Sequence, residues 1–222
     1  MAATNEPAQT IHYESHLVPA FAMLAVLLLL EILPGRLQIM PVWFFYLAAA
    51  VVLAPMVAVA VAPAKAPWMR IERATIFLTV IVATAINIVA LGELIVAITV
   101  RPDSIGGIPL LTSSIGIWVT NLVVFSLLFW QVDRDGPHAR ATNVDIKPDW
   151  LFPQTEAPEA VPPDWRPFFL DYLFLGFCTA TAFSPTDVLP LTRRAKMLMM
   201  IESSISLVTI VIVAARAINI LK

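Results

Sequence analysis

The sequence predicts an all-α, polytopic membrane fold with five transmembrane helices and one re-entrant, pore-like helix. Three observations predict it. Apolar residues fill 59% of the 222 positions and charged ones 14%, against roughly 45–50% and 25% in a soluble domain, and the mean hydropathy is +0.82. Five apolar runs have lengths near the roughly 20 helical residues that cross a hydrocarbon core of about 30 Å. A sixth run, FFLDYLFLGFCTATA at 168–182, would form a helix only about 22 Å long, which enters such a core without crossing it.

In chain order, residues 1–16 form a polar segment with no Lys or Arg, unlike the basic start of a cleaved signal peptide, so it is expected to be retained. His12 and His16 stand four apart there, but no further His or Cys lies nearby in sequence, and no metal site is expected. Residues 17–132 hold four runs. The first, 17–33, stops at Pro34-Gly35; the second, 42–62, opens with Trp43, Phe44, Phe45 and Tyr46, side chains suited to a membrane interface. The third is 74–100, ended by Arg101-Pro102, and the fourth 108–132, ended by Asp-Arg-Asp-Gly. Residues 133–167 hold seven prolines, seven acids and four bases, too polar for lipid and too proline-rich for a long helix. That stretch reads as an extramembrane loop. The last part, 168–222, carries the short run, a polar turn and the fifth span, 195–221. A short run, a turn and then a full span is the order of a re-entrant hairpin.

Several function classes are disfavoured. The net charge is −2 and no long basic run exists, so the footprint of a nucleic-acid binder is missing. Cys178 is the one cysteine. No GxSxG, Walker or GxGxxG pattern occurs, which leaves an enzyme the weakest class and gives no reason to expect a cofactor.

Polar side chains inside spans are costly and mark function or helix contacts. Glu202, Ser206 and Thr209 recur at helical spacing in the fifth span, with Arg216 further along. That face lines either a pore or proton path through Glu202 or a packing stripe. Glu93 and Asn87 in the third run and Asn121 in the fourth read as interhelical hydrogen bonds.

The stretch DYLFLGFCTATAFSPTDVLPLTRRAKMLMM resembles the pore module of tetrameric potassium channels, in which an aromatic-rich pore helix ending in threonines precedes a five-residue filter, an Asp, an apolar pair, a Pro and the inner helix. The resemblance covers about the last quarter of the chain. Matching Asp187-Val188-Leu189-Pro190 to that pattern puts Ala182, Phe183, Ser184, Pro185 and Thr186 in the place of the filter TVGYG. No glycine stands there, Pro185 fixes its own φ and restricts Ser184, and Phe183 adds bulk. A potassium-type filter is therefore not expected. Ser184-Pro185-Thr186-Asp187 also reads as a helix start, with Ser at the N-cap and Pro at the first helical position.

What the resemblance implies is an ion-channel-like pore protein, a homo-oligomer (a tetramer if channel-like) in the lipid bilayer. Thr179, Thr181 and Asp187 would attract monovalent cations without measuring their radius. The alternative is a non-conducting scaffold or sensor that keeps the fold. The whole chain also resembles a group of bacterial membrane proteins carrying the same loop, which implies the inner membrane. Ten of the 14 Lys and Arg fall on the side of the long loop, which would place it in the cytoplasm, whereas channel pores enter from outside. The expectation follows the channel orientation.

Overall fold

The computed structural model describes residues 17–32, 66–100, 106–142, 145–163, 165–181 and 188–220, with isolated positions between 43 and 54. The expected second span, 42–62, and the filter-like stretch, 182–187, lie outside the described residues. The described chain is mostly helical: α1 Leu17–Ile32, α2 Ala66–Val100, α3 Gly107–Val132, α4 Pro137–Thr142, α5 Phe169–Thr181 and α6 Arg193–Ile220. Among the described residues, three helical segments are long and apolar enough to cross a membrane, Arg70–Val100, Ile108–Asp135 and Arg193–Ala215, and two shorter apolar ones are Val18–Leu29 and Phe169–Thr181.

The central helix is α3: 67% of its apolar window is buried, against 33% for α2 and 17% for α6. It packs against α1, α2, α5 and α6. Burial of its side chains explains this position, since Ile117, Leu122, Val124, Phe125, Leu127, Phe129 and Trp130 are all buried although they point to several sides of the helix. A core lies at the end of the bundle where α3 stops, joining Met23 and Val26 of α1, Ile76 and Val80 of α2, Phe129 and Trp130 of α3, Tyr172 and Leu175 of α5, and Ala195. A second cluster, with Leu91, Leu94, Leu110 and Ile117, closes α2 on α3 toward the other end.

Residues 133–167, expected as a loop, include short elements docked on that first core. A 3-10 turn, Asp133–Asp135, ends α3, and the chain reverses there with positive φ at Arg134, Asp135 and Gly136. At Gly136 φ is 99°, and a Cβ would lie 3.0 Å from Gln131 Oε1, so the turn requires glycine twice over. Strands β1 (Trp150–Leu151) and β2 (Leu189–Pro190), one on either side of α5 in the chain, form an antiparallel pair, Trp150 opposite Pro190 and Leu151 opposite Leu189. Aromatic side chains seat this cap: Phe129 and Trp150 have centroids 5.0 Å apart, and Phe152 and Tyr172 5.3 Å apart, edge to face. Such pairs contribute about 0.5–1.5 kcal/mol each beyond their burial.

The start of the last helix differs from the expected one. It begins at Arg193, and residues 188–192 are not helical, so a helix opened at Ser184-Pro185 does not run into α6. The cap is Thr192: the Ala195 amide donates to its hydroxyl at 3.2 Å and the Lys196 amide to its carbonyl at 3.2 Å. Helix α2 begins eight residues before the apolar run, because the amphipathic PWMRIER stretch continues the helix past its apolar part.

Candidate functional site

Two polar assemblies stand out, one in the cap and one within the apolar helices. The cap is organised by two buried acids. Asp149, with 0% side-chain exposure, accepts from Arg194 Nε and Nη2 at 2.6 Å each and from the Thr192 hydroxyl at 2.5 Å. This fork-on-carboxylate arrangement is the strong form of the pair. Asp133 accepts from the Asp149 amide at 2.8 Å through Oδ1 and from the Tyr172 hydroxyl at 2.6 Å through Oδ2. Arg140 donates to the carbonyls of Trp130 at 2.6 Å and Asp133 at 2.9 Å, which closes the C-terminal end of α3, and its guanidinium lies 5.1 Å from the Tyr172 ring centre. Loop, α3, α5 and α6 are thereby tied at one end.

From that end α5 runs back along α3. Its first residue, Phe169, meets Trp130 edge to face; near its last turn the Ala180 carbonyl accepts from Trp118 Nε1 at 3.4 Å. Trp118 stands near the middle of α3, about 16 Å from Gly107 along the axis. The Thr179 carbonyl accepts from the Ser203 hydroxyl of α6 at 3.2 Å. By Leu189 the chain is back at the cap, paired with β1.

The sequence-derived candidates fall unequally around this arrangement. Thr179 is buried and its hydroxyl donates to the Leu175 carbonyl at 2.8 Å; the Thr181 hydroxyl donates to the Phe177 carbonyl at 2.9 Å. Both hydroxyls thus serve their own helix, and the Thr179 and Ala180 carbonyls serve its neighbours. Ala182, Phe183, Ser184, Pro185, Thr186 and Asp187 lie outside the described residues. Glu93 is exposed on α2 and Asn87 is buried, its Oδ1 without a hydrogen-bond partner among the described residues. Glu202, Ser206 and Thr209 are 0%, 1% and 1% exposed on one face of α6. That face turns inward: Asn121 of α3 donates to the Glu202 carbonyl at 3.1 Å and to the Ser206 hydroxyl at 2.9 Å, and Thr209 donates to the Ile205 carbonyl at 2.8 Å.

Glu202 is the outlier. Its side chain is fully buried about 14 Å along α6 from Arg193, and neither carboxyl oxygen has a hydrogen-bond partner among the described residues. Oε1 approaches Gly176 of α5 so closely that a Cβ there would stand 3.4 Å from it and 2.3 Å from the Ser126 hydroxyl of α3. A bare carboxylate in such surroundings costs several kcal/mol, so the group has to meet a proton or a cation. Sequence reasoning missed Ser126 and Gly176; the one signal for Gly176 was a single glycine in an aromatic-rich run. It also missed Asp133, Asp149 and Tyr172, whose partners are distant in sequence. No family model, no curated protein and no solved structure matches the chain.

Proposed function

We propose that the chain is a multi-pass integral membrane protein, ion-channel-like in architecture, that passes cations with weak selectivity through a bundle of five spans and one re-entrant helix, as a homo-oligomer in a bacterial inner membrane. The observation that carries this reading is the Glu202 carboxyl, fully buried between α3, α5 and α6 with neither oxygen partnered among the described residues. Buried ionisable groups inside spans mark ion or proton paths. The course of α5 supports the re-entrant assignment: it leaves the cap, ends beside the middle of α3 and is followed by a return to the cap at Leu189. The outer face of α6, with Met197, Met200, Ile201, Leu207 and Val211 exposed, offers lipid or a neighbouring subunit an apolar surface.

The second reading, a non-conducting scaffold or sensor, is favoured by the donors that Trp118 and Ser203 supply to the α5 carbonyls, which leave that helix end less free to attract an ion. Flux from liposomes separates the two. Conduction predicts a cation flux with a potassium to sodium ratio near unity, abolished by Glu202→Gln in protein that still assembles. Absence of flux at every pH establishes the scaffold.

A further inference from the structure

We propose that Glu202 and Ser126 form a proton-exchange site inside the helical bundle, in a gap that Gly176 keeps open. The inference rests on the reading of Glu202 as the group on which conduction depends, and assigns to that group a proton, distinct from the cation that is passed.

Oxygens from two helices converge on the one point of α5 that has no side chain. A Cβ at position 176 would lie 2.3 Å from Ser126 Oγ and 3.4 Å from both Glu202 Oε1 and the Leu122 carbonyl oxygen. The hydroxyl hydrogen of Ser126 is already committed, donated to the Leu122 carbonyl at 2.7 Å. Ser126 Oγ therefore faces the gap with lone pairs only. Glu202 brings two more acceptor oxygens, neither with a donor among the described residues. Among the described residues, the site is a set of acceptors without a positive charge.

The charged and titratable side chains of the surrounding helices do not supply one. On α6 itself Arg193, Arg194 and Lys196 stand at the cap end and Arg216 far beyond, and Arg194 is held by Asp149. Between Gly107 and Val132, α3 has no charged residue. The titratable groups of α5 are Asp171, which accepts from the Phe168 amide, Tyr172, which donates to Asp133, and Cys178. Those of α2 are Arg70, Glu72 and Arg73 near its start and the exposed Glu93. Strand β2 has none.

One unit of charge balances one carboxylate, whereas a divalent ion would leave a net charge buried. A dehydrated metal ion also needs a shell of oxygens all round, and around this point stand Ser126 Oγ, Glu202 Oε1 and the Leu122 carbonyl oxygen, so close that even a Cβ would lie 2.3 Å from the first of them. A proton needs one. Hydronium from the aqueous phase gives its proton to Glu202 Oε1 and leaves as water, and the new O–H turns to Ser126 Oγ, which converges on the same point of α5 but is not hydrogen-bonded to the carboxyl beforehand. Release is the reverse.

Infrared spectroscopy of the purified full-length protein in lipid nanodiscs tests this directly. The expected result is a carboxylic C=O band that changes with pH, shifts in deuterated buffer and is lost in Glu202→Gln. Ser126→Ala, a smaller change in a helix that stays packed, shifts the same band to higher frequency because the acceptor is gone, while Glu159→Gln in the exposed cap leaves it in place. A pH-independent carboxyl region, a band untouched by Ser126→Ala, or a band erased by sodium at constant pH overturns the proposal. Nanodiscs with the band but liposomes without flux would sink the conduction reading and leave this site standing; flux without the band would do the opposite.

Discussion

Removing the Asp149 carboxylate should unlock the cap. In Asp149→Ala the two 2.6 Å bonds from Arg194 and the 2.5 Å bond from Thr192 are lost together. Hydrogen bonds to a charged group contribute about 1.5–3 kcal/mol each, and breaking a buried pair by removing one partner costs about 3–5 kcal/mol. Arg194 is half exposed, at 50%, so its guanidinium recovers water when released, which brings the expected loss down to about 2–4 kcal/mol. Since about 1.4 kcal/mol is tenfold in an equilibrium constant, the local opening of the cap should become on the order of 30- to 700-fold more frequent. The reporter is the Leu191 amide, which donates to the Asp149 backbone carbonyl at 2.8 Å, an atom the substitution keeps. Hydrogen exchange resolved by mass spectrometry should show the Leu191 segment exchanging faster by that factor, with the middle of α3 unchanged. Exchange at Leu191 that stays within threefold of the unmodified protein would refute the assignment of the Asp149–Arg194 pair as the latch.

Tyr172→Phe removes the 2.6 Å donor to the buried Asp133 Oδ2 while keeping the ring against Phe152, and should lower stability in detergent by about 1–3 kcal/mol, read from a thermal melt. The glycines give a matched pair: Gly176→Ala places a Cβ 2.3 Å from Ser126 Oγ and should cost about 1–3 kcal/mol, whereas Gly92→Ala meets nothing within 4 Å and should stabilise α2 by up to about 1 kcal/mol; equal melting temperatures for the two variants would contradict the close approach of α5. For membrane orientation, single cysteines at Thr142 and at Arg101 are to be labelled on intact cells with an impermeant thiol reagent, the native Cys178 being buried. Labelling at Thr142 alone is expected, and labelling at Arg101 alone reverses the orientation.

What was legible in the sequence is what hydropathy and local punctuation encode. The run 108–132 came within a residue of α3 because a Gly-Gly pair and an Asp-Arg-Asp-Gly turn bound it, and 168–182 came within a residue of α5 at each end. Helix starts were read late wherever polar residues continue a helix beyond its apolar stretch, as at Ala66 of α2 and Arg193 of α6. Order in the long loop was not legible at all, because it rests on pairs far apart in the chain: Tyr172 reaches Asp133 across 39 residues and Arg194 reaches Asp149 across 45. Seven prolines argued against a helix there, but they do not prevent side chains from docking. Within the bundle, Glu202 could be picked out as a costly residue, yet the face it turns to was set by Asn121, 81 residues away.

The cap and the buried Glu202 carboxyl are linked through the register of α6. Thr192 caps that helix and Arg194 anchors it, both on Asp149, and Glu202 follows Arg194 by about 12 Å of axial rise. A slip of α6 by one residue would move Glu202 about 1.5 Å along the axis and turn it by about 100°, from the inward face shared with Ser206 and Thr209 to the outward face of Ile201 and Leu207. The inward position is held from the other side by Asn121, which bonds the Glu202 carbonyl and the Ser206 hydroxyl at once, a geometry that one register alone satisfies. On α5 the same logic applies: Tyr172 fixes the outer end on Asp133, Trp118 and Ser203 fix the inner end, and Gly176 lies between them opposite the carboxyl. An apolar bundle alone specifies no such register, because one Leu or Val face slides against another at little cost in hydrocarbon. The buried acids of the cap therefore act over distance, setting the helix position at which the Glu202 carboxyl turns inward between α3 and α5.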